Sequence, residues 1–178
     1  MTPTSRFLLP RTLATLMALP VLSGLMLLQT SLVSRFVLLQ GTSDLVLLAI
    51  IAWALQKRVE SAWQWGLIGG LIYSIASALP IGASFAGYLP AVALALTLRR
   101  RVWRVPLLAM FVTTLFGTLF FHAISYLTLI IVRDPLPLVE AFNLITLPSL
   151  VLNLLLAIPV YALISDLARW LYPEVLEV

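Results

Sequence analysis

Apolar residues fill this chain in long runs, and short polar or charged breaks divide them into six segments. The pattern predicts helices over about residues 12–33, 44–56, 62–79, 85–98, 105–132 and 147–171. A helix needs roughly 20 apolar residues to cross the hydrocarbon core of a bilayer, so the second and fourth segments are short. At 1.5 Å per residue the second reaches only about 20 Å. It is expected to pack among the others or to thin the bilayer locally. It follows the break Gln40-Gly41-Thr42-Ser43, with Ser43 as the expected N-cap and Asp44 in the first turn, where its charge suits the helix dipole. Pro80-Ile81-Gly82 reads as a turn, residues 133–146 as a loop at the outer surface, and Pro159 as a kink inside the last helix.

Composition sharpens this into a membrane protein. The chain has 178 residues, of which 62% are hydrophobic and 10% charged, and its mean hydropathy is +1.09. Soluble domains carry about 25% charged residues. Six helices consume nearly the whole length, so residues 1–178 are read as a single transmembrane domain. The N-terminal segment imitates a signal peptide but contains Pro20 and lacks a small-x-small cleavage site, so an uncleaved first helix is expected. There is no cysteine, which excludes disulfides and thiol chemistry.

Charge then gives the fold a direction. Arg6, Arg11, Lys57, Arg58, Arg99, Arg100, Arg101, Arg104 and Arg169 fall on one side of a six-span arrangement, and only Arg35 and Arg133 on the other. Lys/Arg-rich loops stay in the cytoplasm, so both termini are expected there, in a multi-pass protein of a bacterial inner (cytoplasmic) membrane. This bias accounts for the basic balance without nucleic acid, and the Arg99 to Arg104 cluster suits anionic lipid. Trp53, Trp63, Trp65, Trp103 and Trp170 lie beside these cations and are expected to be interfacial anchors.

Small residues recur at steps of four on the third helix, at Gly66, Gly70, Ser74 and Ala78, and on the fourth at Gly87, Ala91 and Ala95. Such faces let backbones approach closely. They either pack these two helices together or leave the third to receive a partner's helix. Polar residues form two further stripes: Thr114, Thr118 and His122, then Ser149, Asn153, Tyr161 and Ser165. Polar groups facing lipid lose their hydrogen bonds, so Thr118, His122 and Asn153 are predicted to be buried, either bonding across helices or lining a pocket. The seven acids lie almost entirely at span ends. No carboxylate pair has catalytic spacing, there is no Walker loop or G-x-S-x-G elbow, and a single histidine allows no His-His metal pair. No catalytic, cofactor or metal residue is therefore predicted, and the chain is not expected to be an enzyme.

The order of these segments resembles the MreD family, the small membrane subunit of the bacterial rod-shape (elongation) complex. Gln29 lies near the end of the first span, and Ser43-Asp44-Leu45-Val46-Leu47-Leu48 resembles that family's Pro-Asp-Leu opening of its second. Gly66-Leu67-Ile68-Gly69-Gly70-Leu71-Ile72 and then Pro80-Ile81-Gly82 resemble its Gly-rich third span and the turn that follows. Pro148 through Asn153 to Ala157-Ile158-Pro159-Val160-Tyr161 resembles its last span. Ser74 stands where the family usually has an aspartate, and Ser43 where it has proline. The resemblance implies an all-α polytopic fold of six transmembrane helices, similar to the substrate-binding subunits of energy-coupling-factor transporters. It also implies a non-enzymatic scaffold that binds MreC and, with it, RodA and a class B penicillin-binding protein. Such a scaffold supports peptidoglycan synthesis and cell shape. The fold similarity supplies the alternative, a small-molecule-binding transporter subunit with its pocket among the polar faces of the fifth and sixth spans.

Overall fold

A computed structural model describes residues 3–31, 40–77, 79–101, 105–132 and 136–172. The fold is nearly all helical, with no strand among the described residues. In order, the helices are α1 (Pro3–Ser31), α2 (Leu45–Ala54), α3 (Ala62–Ala76), α4 (Ile81–Arg101), α5 (Pro106–Val132), α6 (Leu138–Ala141) and α7 (Leu147–Leu171). A π-helical turn, Phe142–Thr146, joins α6 to α7. Among the described residues, three stretches are long and apolar enough to cross a membrane: Thr12–Ser31, Pro106–Val132 and Leu138–Leu171.

The short helix α2 is the centre of the molecule. Its ten residues are all buried, as expected of a helix apolar on every side, and it touches α1, α3, α4, α5 and α7. Of the two expectations for this segment, packing among the others is the one realised. The surrounding helices each bury one stripe of mostly small residues. In α1 it is Ala14, Ala18 and Leu22; in α7 it is Ser149, Asn153, Ala157, Val160, Ile164 and Ala168. Large aliphatics such as Leu16, Ile75, Ile131 and Leu155 point outward. Small residues inside and large apolar residues outside suit helices that pack in lipid, where close backbone approach matters more than apolar burial.

Four sequence expectations need correction. The fourth helix is not short: it runs 21 residues. It begins at the Pro80-Ile81-Gly82 turn, where the Pro80 carbonyl accepts the Ala83 N–H at 3.0 Å. The segment before α7 is helical from Leu138 rather than a loop, because its apolar run continues through the π turn into α7. The N-cap of α2 is Asp44, whose Oδ1 accepts the Leu47 N–H at 2.9 Å, and not Ser43. Trp53 and Trp65 are not interfacial anchors. Both are fully buried and stack on each other with ring centroids 4.2 Å apart. Their indole N–H groups donate to Ser61 Oγ and to the Ala14 carbonyl, which satisfies the polar edge that a buried indole must bring with it. Trp63 and Trp170 are exposed, and Trp103 lies outside the described residues.

Candidate functional site

The entrance to α2 is an extended strap, residues 40–44, laid along α7. Pro148 has no N–H to offer the Leu144 carbonyl four residues earlier, and that carbonyl accepts the Gln40 N–H at 3.1 Å. Thr42 N–H then donates to Ser149 Oγ at 3.0 Å, and Asp44 N–H to Asn153 Oδ1 at 2.7 Å. An extended chain advances about 6.6 Å per two residues and a helix about 6 Å per four. The alternate strap amides therefore fall in register with the four-step polar stripe of α7. Gly41 is required by the closeness of this docking: a Cβ there would lie 2.6 Å from the Ser149 backbone nitrogen.

Asp44 is the hub. Beyond capping α2, its Oδ2 accepts the Tyr88 hydroxyl of α4 at 2.7 Å. Asn153 extends the network by donating through Nδ2 to Thr118 Oγ1 of α5 at 3.0 Å. Gln29 of α1 accepts the Leu45 N–H at 2.8 Å. Five helices are thus tied at one point. Tyr73, Tyr88 and Phe121 cluster beside it, with ring centroids 5.2–5.5 Å apart. The polar groups of the hub grip each other: both Asp44 oxygens and both ends of the Asn153 amide are engaged.

The predicted polar stripes divide here. Thr118 and Asn153 are buried and bonded to each other. His122 is half-buried and lies 3.3 Å from Thr146 Oγ1, outside the hub. Thr114 is buried, with no hydrogen-bond partner among the described residues. Sequence reasoning missed Asp44 and Tyr88 as site residues. Asp44 read as an acid at a span end, and a lone tyrosine on an apolar helix carries no signal of its own.

The small-residue face of α3 meets α4. A Cβ at Gly66 would lie 2.9 Å from Val92 Cγ2, and one at Gly70 3.0 Å from Phe85 Cδ1. Ser74 is buried and donates to the Gly70 carbonyl at 2.6 Å; Ala78 lies outside the described residues. A partner helix meeting this face would have to displace those α4 side chains. The small face of α4 turns elsewhere: Gly87 packs against Phe121 of α5, and Ala91 against Gly117.

At its other end α2 runs into a turn whose carbonyls are capped by a cation. Arg99 Nη1 donates to the carbonyls of Gln56 at 2.7 Å and Val59 at 2.9 Å. Lys57, Arg58, Arg99 and Arg169 line a cavity of about 460 Å³. Arg169 also pairs with Asp166, three residues earlier on α7.

Among the described residues no three His, Cys, Asp or Glu side chains gather as a metal site. Comparison with protein-family models, with curated proteins and with solved structures finds no match for this chain.

Proposed function

We propose that this chain is a non-enzymatic scaffold of the MreD type in the bacterial elongation complex, binding MreC in the inner membrane. In this reading it crosses the bilayer six times, in the fold shared with energy-coupling-factor substrate subunits, and both termini are cytoplasmic. RodA and a class B penicillin-binding protein join through MreC, so that the scaffold supports peptidoglycan synthesis and cell shape.

The observation that carries the scaffold reading is the Asp44 hub. Its polar groups are spent on one another and on the strap, which suits a rigid body better than a ligand pocket. Three helices long and apolar enough to span, with outward-facing aliphatics, support a membrane location. The topology draws support from Lys57, Arg58, Arg99 and Arg169, which three separate segments bring to one cavity in keeping with the one-sided charge distribution.

The test is coexpression with tagged MreC, solubilisation in mild detergent and measurement of the copurified ratio, alongside cell shape on depletion. A stable complex and rounding of depleted cells are expected. Recovery of the chain without MreC, carrying a bound vitamin, overturns the reading in favour of the transporter subunit.

A further inference from the structure

The cavity beyond α2 combines charge with apolar walls. Leu55, Val59, Pro106, Ala109 and Ala168 contribute the apolar lining. The four cations come from the turn after α2, the last turn of α4 and the end of α7, Arg169 being paired with Asp166, and among the described residues no carboxylate lines the cavity. Its volume of about 460 Å³ lies within the range of roughly 300–1,000 Å³ typical of small-ligand sites. Among the described residues Arg99 bonds through Nη1 alone, which leaves the donors on its other nitrogens for an acceptor in the cavity. The hydroxyls of Tyr161 and Ser165 add polar lining. Beside Pro106, the exposed Leu107 and Leu108 continue the apolar surface outward along α5. A cationic cleft between helices at the level of the arginine row is where an anionic headgroup meets a membrane protein.

We propose that this cavity binds the phosphate of an anionic membrane amphiphile, with the attached apolar chain lying along the start of α5. The proposal rests on the chain being membrane-embedded and not on the scaffold role. Free phosphate shares the headgroup chemistry, and the test separates the two sources.

The probe is phosphatidylglycerol or phosphatidylcholine at equal mole fraction in mixed micelles, with retention by the full-length protein read by native mass spectrometry. Wild type should keep phosphatidylglycerol and lose phosphatidylcholine. Lys57→Gln with Arg58→Gln should weaken retention about thirtyfold, at about fivefold per charge. Arg100→Gln with Arg101→Gln removes the same charge outside this cavity and should change it by about twofold or less. Equal losses from the two pairs would mean diffuse attraction to basic residues, and the discrete site would be wrong. Equal wild-type retention of the two lipids overturns it without any variant, so the answer survives if a variant fails to fold. Millimolar inorganic phosphate should not displace the lipid; displacement by phosphate alone would assign the cavity to the free anion instead.

Discussion

The two ends of α2 face the same difficulty and meet it with opposite charges. A helix that stops inside a protein leaves N–H groups unpaired at its start and carbonyls at its end. At the start, a carboxylate from the helix itself and side chains from α1 and α7 accept those N–H groups. At the end, a guanidinium from α4 donates to the carbonyls of the following turn. Both signs agree with the helix dipole. The ends differ in what is left over. Asp44 has both oxygens taken, whereas Arg99 commits one nitrogen and stands at the edge of a cavity. A closed end is a structural joint, and an open end is a place where something else can bind.

The largest expected effect comes from breaking the closed end. Asp44→Ala removes the cap on the Leu47 amide, worth about 1 kcal/mol, and leaves the Tyr88 hydroxyl without its acceptor, at about 1–3 kcal/mol. A loss of about 2–4 kcal/mol in detergent unfolding is expected. A loss below about 1 kcal/mol would mean that the hub does not anchor the fold. At the open end, Arg99→Gln should cost less, about 1 kcal/mol, because the carbonyls of Gln56 and Val59 lie nearer to water. If Arg99→Gln proved the more damaging of the two, the contrast between the ends would be reversed.

What the sequence made legible, and what it hid, follows the same division. Step-four spacing revealed the polar face of α7, because helical periodicity fixes which side chains share a face. It did not reveal that Ser149 and Asn153 accept from backbone amides more than a hundred residues away, since an amide has no sequence signature. Trp53 and Trp65 misled for a related reason. Tryptophans beside Lys57 and Arg58 read as a membrane belt, but α2, buried on every side, carries Trp53 inward, and Trp65 sits on the buried face of α3 and stacks on it. The shortness of α2 was visible, and so was the small-residue face of α3. The residues filling that face, Phe85, Leu89 and Val92, were not, because the small residues of α4 suggested a match that α4 makes with α5 instead. The link to MreC rests on resemblance in the order of motifs, and the geometry of the hub supports it only by making the body rigid.

The most direct measurement for the scaffold account combines stability and partner binding in one preparation of Asp44→Asn. Asparagine keeps the N-cap but offers Tyr88 an amide where a carboxylate oxygen stood. The thermal midpoint should fall by about 2–4 °C for each kcal/mol lost, while the folded protein retains MreC at the wild-type ratio. An unchanged midpoint with MreC lost would show that the carboxylate itself serves binding or chemistry, and the reading of Asp44 as a joint would be wrong.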